Sequence, residues 1–297
     1  MNIDYISQNW PLTNPTIELL KKSGERTVYK VIADEGTFIF KIADPSKSEA
    51  TVLKDTQILR FFEEVNYPAP QLLLSRSGTN YVLHEGKCVY AISYLEGNEP
   101  ENNKENYAKL GEVMARLHSL QGYTIPTDFT AEVEIPTMLA RAKKFNMDAH
   151  YIELVKALPD FSRFPTCLIH TDIGSHNSIQ LTTGEIVLVD WDDAGIGTRI
   201  LDLGFPLICD FVTKDLRFEK DRAEAFYKAY CSIITLTDEE KAHLFDAGLF
   251  YALSYTIFDD SGIVEGQWRK VLWAIEHKNE ILSALPPNER KIISNER

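Results

Sequence analysis

Residues 169–203 read IHTDIGSHNSIQLTTGEIVLVDWDDAGIGTRILDL, and this stretch decides the fold. It opens on His170-x-Asp172, passes Asn177 and, after two β-prone runs at 178–181 and 185–190, reaches Asp190-Trp191-Asp192-Asp193. Thr182-Thr183-Gly184 supplies turn chemistry between the runs and predicts a hairpin. Asp202-Leu203 closes the stretch. Acidic side chains thus stand at the ends of short apolar strands, where a rigid scaffold displays reactive groups. Asp and Asn are also ordinary turn residues, because they hydrogen-bond locally. Order and spacing across the whole stretch favour chemistry over turns.

A carboxylate beside a hydroxyl can orient it and take its proton, a task that suits Asp172. Mg²⁺ keeps several waters and needs few protein oxygens. Asn177 and Asp190, brought back together by the hairpin, offer one amide and one carboxylate to such an ion. These are the parts that phosphoryl transfer requires.

Working outward, 27–32 (TVYKVI) and 37–42 (TFIFKI) flank Asp34-Glu35-Gly36 and predict a second hairpin. Lys41 faces away from Phe40 and Ile42, as the pleat requires. Ser46 or Ser48 can cap a following helix with Glu49 in its first turn. Leu53, Ile58, Leu59 and Phe62 give that helix an apolar face, and it stops before Pro68-Ala69-Pro70. Strands follow at 71–74, 81–84 and 89–94. The polar run 96–100 (EGNEP) predicts a linker, dividing the chain into lobes 1–94 and 95–297. Beyond it, helical patterns cover 107–120, 135–158, 218–233, 237–258 and 265–284, with a strand at 167–169.

Composition is that of a globular protein, with 44% hydrophobic and 25% charged residues. The net charge of −13 repels phosphate backbones and argues against a nucleic-acid partner. It serves solubility, and it would also attract a cationic small molecule. Cys88, Cys167, Cys209 and Cys231 match no zinc or redox spacing, and free thiols suit the cytoplasm. The first residues, MNIDYISQNW, lack a signal-peptide pattern, and no window is apolar enough for a bilayer.

HTDIGSHN followed by VDWDD resembles the signature of the aminoglycoside phosphotransferases and choline kinases, which are kinase-like small-molecule phosphotransferases. FIFKI, YLEGNEP and LGEVMARLHSL resemble the family's lysine strand, inter-lobe segment and first helix of the second lobe, in the same order. The resemblance implies an α+β fold with a small β-rich lobe, a larger helical lobe, and ATP between them. It implies that Asp172 is the catalytic base and that Asn177 and Asp190 hold Mg²⁺. It puts Lys41 on the α- and β-phosphates, and Ser93, Tyr94 and Leu95 where backbone groups hold adenine. Asp202 would brace the catalytic loop and His170 would shape it.

Two departures stand out. The helix partner of the lysine is usually Glu, and Asp55 occupies that place, with Glu49 the alternative. The phosphate-covering turn, Ser23-Gly24-Glu25-Arg26-Thr27, has a single glycine. The reaction implied is transfer of the γ-phosphoryl group of ATP to a small-molecule hydroxyl, with an aminoglycoside or another amino alcohol as candidate acceptor. Asp192, Asp193, Asp259 and Asp260 could meet a cationic acceptor. The alternative is a nucleotide-binding pseudokinase or scaffold without turnover.

Overall fold

The computed structural model describes residues 1–23, 26–45, 47–258 and 262–286. Its contacts divide the chain into two compact units. The first holds 1–99, 123–125 and 177–195, and the second holds 100–122, 126–176 and 196–297. The sequence-based division at 94/95 differs in one respect that matters. The hairpin from Asn177 to the acidic run groups with the first unit, not with the helical remainder.

The first unit is built on an antiparallel sheet. Strands Thr16–Ser23, Arg26–Ala33, Gly36–Ile42 and Lys87–Ser93 lie side by side in that order, with Leu72–Leu73 beyond. Val82–His84 also pairs with Lys87–Ser93. The register sets Lys41 between Val28 and Tyr90. One face of the sheet buries Val31, Phe40, Ile42, Val89 and Ala91 against Ile6, Trp10 and Leu12 from an N-terminal helix and its exit. Alternation fixes this arrangement, since Phe40 and Ile42 point inward and Lys41 must point the other way.

The helix Glu49–Glu64 begins at Ser48, whose hydroxyl accepts from Thr51 N–H at 3.1 Å. Ser46 lies outside the described residues. Phe62 on this helix packs at 4.5 Å from Trp191, which is 4% exposed and anchors the acidic run in the core. The 178–181 and 186–188 hairpin pairs as the sequence predicts, and Gly97–Asn98 adds a third strand to it.

The second unit is mostly helical. Lys104–His118 buries Tyr107, Leu110, Met114 and Leu117 along one face. It packs against Lys220–Cys231 so closely that a Cβ at Gly111 would collide with the backbone oxygen of Phe226. The pattern expected over 135–158 is two helices, Ala131–Lys144 and Ala149–Ala157. Asn146 takes a left-handed φ of 51° after the first, and the Asp148 side chain caps the second. Asp238–Ser254 opens with a capping box between Thr237 and Glu240. It ends at Ser254, short of the 258 expected, and a two-residue strand Ile257–Phe258 follows. Likewise 265–284 is Glu265–Glu276 plus a short helix Lys278–Leu282. Arg199–Phe205 runs into a turn of π-helix, Pro206–Asp210, that the sequence reading does not foresee. Among the described residues no helix is long and apolar enough to cross a membrane.

Candidate active site

In the first unit the chemistry gathers at the end of the Lys41 strand. Lys41 Nζ donates to Asp190 Oδ1 at 2.9 Å and lies 3.7 Å from Asp192 Oδ1. Arg26 Nη2 reaches the same two carboxylates at 3.0 and 3.3 Å. Lys47 Nζ bridges Asp55 Oδ2 at 2.9 Å and Asp192 Oδ2 at 3.1 Å. Arg26, Lys41, Lys47, Asp55 and Asp192, with Tyr90 and Val52, line a cavity of about 270 Å³.

The expected partnership of Lys41 with Asp55 or Glu49 is not what forms. Asp55 pairs with Lys47, and Glu49 accepts from the Tyr81 hydroxyl at 2.7 Å. A shorter Asp side chain on the helix cannot extend as far as Glu, and Lys47, just before the helix, meets it instead. Asp55 Oδ1 is buried with no hydrogen-bond partner. Burial pushes the Asp55 carboxyl up to about 7 against the pull of Lys47. For Asp190 burial also pushes upward, but Lys41 and Arg26 outweigh it and hold the group below the usual carboxylate range. Burial opposes the charge on Lys41 too, and Tyr90, Asp192 and Asp190 more than offset it.

Asn177 and Asp190 sit at the open end of their hairpin, where Val189 N–H donates to Asn177 C=O at 2.9 Å. Asp190 has a left-handed φ of 65°, a conformation that Asp tolerates better than most residues. Among the described residues no group of three His, Cys, Asp or Glu could cage a metal. Mg²⁺ needs no such cage, and an ionised carboxylate with a nearby amide fits its preference for hard oxygen.

Of the three residues expected near adenine, two commit backbone N–H groups to the sheet. Ser93 N–H donates to Gln71 and Tyr94 N–H to Thr37. Leu95 lies beyond the strand, and among the described residues its backbone makes no hydrogen bond.

In the second unit the loop carrying Asp172 is held from behind. Asp202 is fully buried and accepts from His170 N–H at 2.8 Å and Thr171 N–H at 2.6 Å. His118 Nε2 lies 3.1 Å from the same carboxylate, and its Nδ1 lies 2.9 Å from the Tyr230 hydroxyl. A donor is needed at Asp202, so His118 carries its proton on Nε2 and accepts from Tyr230. Thr171 has a φ of 75°, which is strained for a β-branched residue, and Asp202 is what holds it there. Arg199, at the start of the Asp202 helix, grips the buried Glu240 through Nε at 2.9 Å and Nη2 at 2.6 Å.

Asp172 itself is partly open, with 39% of its side chain exposed, and its Oδ1 lies 3.3 Å from His176 Nε2. It can therefore meet a substrate. Sequence reasoning missed Arg26, Lys47, His118 and Tyr230 as members of these networks. Asp192 is held in the cation cluster of the first unit. Asp193 is exposed there, and Asp259 and Asp260 lie outside the described residues. Gly24 and Glu25 of the phosphate-covering turn lie outside them as well.

Residues 16–244 match the model of the phosphotransferase enzyme family. The chain belongs to that family. It is 25% identical over 189 residues to a homoserine kinase of Zymomonas mobilis, a match covering 60% of this chain. The chain spans 59% of the length of that curated relative. Among solved structures, the amicoumacin kinase hAmiN in complex with AMP-PNP, Ca²⁺ and Ami superposes with a TM-score of 0.68 at 17% identity. That match covers 96% of this chain and 94% of the other. A microcompartment-associated aminopropanol kinase gives 0.63 at 16% identity, covering 93% and 97%. Choline kinase from Cryptosporidium parvum gives 0.59 at 12%, covering 91% and 90%. These likenesses establish the α+β fold of the kinase-like phosphotransferases.

Proposed function

We propose that the protein transfers the γ-phosphoryl group of ATP to a hydroxyl of a small molecule. The observation that carries this reading is the approach of Lys41 to Asp190 at 2.9 Å, at the mouth of the hairpin that begins with Asn177. A lysine and a carboxylate so placed suit a nucleotide's phosphates and the metal that accompanies them. Lys41 and Arg26 would turn from Asp190 to the phosphates, leaving Asp190 and Asn177 to hold Mg²⁺. That ion, when bound, neutralises charge on the phosphates and favours departure of ADP.

Asp172 accepts the proton of the acceptor hydroxyl. The oxygen lone pair forms the new bond to the γ-phosphorus, and the bond from that phosphorus to the β–γ bridging oxygen breaks. The electron pair leaves with ADP, and the products are ADP, a phosphate monoester and the proton. Leu95 offers a backbone group to adenine. The acidic surplus, 44 Asp and Glu against 31 Lys and Arg, favours an acceptor that carries an amine. The free thiols fit the cytoplasm.

The test is ADP release from Mg-ATP with a panel of hydroxylated amines, sugars and amino acids. Acceptor-dependent release with formation of a phosphate monoester is expected. Nucleotide binding without turnover on any acceptor would instead support the pseudokinase reading, which the loss of a Lys41–Asp55 pair favours.

A further inference from the structure

The π-helical turn Pro206–Asp210 places two oppositely charged groups beside the Asp172 loop. Such turns are rare and concentrate at functional sites. Asp210 Oδ2 accepts from the Tyr107 hydroxyl at 2.7 Å, and among the described residues the Asp210 carboxylate makes no other hydrogen bond. Its Oδ1 is thus left for a ligand. The carboxylate borders the loop directly. A Cβ built on Gly174 would lie 3.5 Å from Asp210 Oδ2 and 2.7 Å from the His176 ring, so the loop passes close against both.

The second group is Lys270. It is 7% exposed, and its Nζ donates to the backbone carbonyl of Cys209 at 3.0 Å. Among the described residues that neutral carbonyl is its one hydrogen-bond partner. An ammonium taken out of water costs several kcal/mol, about what an anionic partner would offset and a single carbonyl does not. Burial accordingly pulls the Lys270 amine below its usual range and pushes the Asp210 carboxyl above its own. Lys270 and Asp210 offset part of each other's burial, and His176 and Arg222 also act on Asp210, yet burial prevails at both, so each gains from a ligand of opposite charge. Asp210 lies on the turn, and Lys270, from the helix Glu265–Glu276, is tied to it at Cys209.

We propose that Asp210 and Lys270 form the recognition pair for the ammonium and the carboxylate of the acceptor, which is therefore a hydroxyl-bearing amino acid. This rests on the phosphotransferase reading of Asp172 and adds the acceptor's class and the residues that select it. Asp210 and Lys270 touch the acceptor away from the reacting hydroxyl, so they set specificity rather than perform chemistry.

The experiment uses the full chain with homoserine, 3-aminopropanol and 4-hydroxybutyrate, which share a terminal hydroxyl and differ by loss of the carboxylate or the amine. Serine, ethanolamine and 3-hydroxypropionate form the shorter set. Binding is measured by calorimetry and turnover by ADP release, so that the two are read separately. An amino acid should bind about ten- to a hundred-fold more tightly than either of its truncated counterparts, the range for one charge-assisted hydrogen bond. Lys270→Met should erase the advantage over the amino alcohol, and Asp210→Asn the advantage over the hydroxy acid, with nucleotide affinity unchanged. If a variant fails to fold, the wild-type ranking alone decides. An amino alcohol that binds as well as its amino acid, a preference that survives Lys270→Met, or binding by neither set overturns the proposal. Turnover of an acceptor without these preferences would leave the phosphotransferase reading standing and remove this one. Amino-acid binding that depends on both residues without turnover would do the reverse.

Discussion

The two units hold their acidic groups in opposite ways. Around Asp190 and Asp192 the ion-pair partners among the described residues are cations on long side chains, Arg26, Lys41 and Lys47, with the Tyr90 hydroxyl donating to Asp192 at 3.4 Å. Asp190 is 39% exposed in its side chain and Arg26 37%. Around Asp202 the partners are backbone N–H groups and a histidine, and nothing is exposed. Ion pairs near solvent are worth little and exchange readily, whereas a fully satisfied buried network stays in one arrangement. The first region is suited to trading its cations for phosphates and metal. The second is suited to keeping one loop in one strained conformation.

The sharpest way to break this comparison is to remove Asp202. Asp202→Ala strands two backbone donors and His118 in the core, each costing about 1–3 kcal/mol. Against the 5–15 kcal/mol that typically holds a domain, about half the stability should vanish in urea unfolding. Tyr230→Phe, one bond further back, should cost only about 1 kcal/mol. A mild effect of Asp202→Ala would mean that the loop is held some other way.

Lys41→Met probes the other side of the comparison. Nucleotide affinity should fall about ten- to a hundred-fold, while the unfolding midpoint moves little, because Arg26 still neutralises Asp190. If stability falls as far as it does in Asp202→Ala, the cation cluster is architecture rather than an exchangeable site.

The smallest expected effect is a pH slope. The Asp55 carboxyl, pushed up to about 7 by burial, holds its proton where the unfolded chain has released it. Its contribution is fully present below about pH 4 and is lost as pH rises through about 7. Asp55→Asn should flatten stability across that window, and an unchanged slope would show that Asp55 is charged throughout.

Much of this was legible in the sequence, for identifiable reasons. The hairpins at 27–42 and 178–190 are written as β-prone runs on either side of turn residues, and both form. The strand Thr16–Ser23 escaped because it lies at the sheet edge, carries a bulge between Leu19 and Lys21, and leaves Leu19 and Leu20 half exposed. The break at Asn146 is a single backbone conformation inside an otherwise continuous helical pattern. Motif spacing singled out Asp172, Asn177, Asp190 and Lys41. Partner choice was beyond it. Lys41 and Asp190 are 149 positions apart, and whether Lys41 or Lys47 meets Asp55 depends on where a helix start packs. The role of His118 was out of reach of the sequence, because nothing local announces the carboxylate 84 positions away.

The central claim is that Asp172 takes the proton while the first unit binds the nucleotide independently of it. The direct measurement is kcat and ATP affinity for Asp172→Asn beside the unaltered protein, with the best acceptor from the panel. The account predicts a fall in kcat of about 10²–10⁴-fold with ATP affinity unchanged. Retention of most turnover, or loss of ATP binding in step with it, would contradict the account.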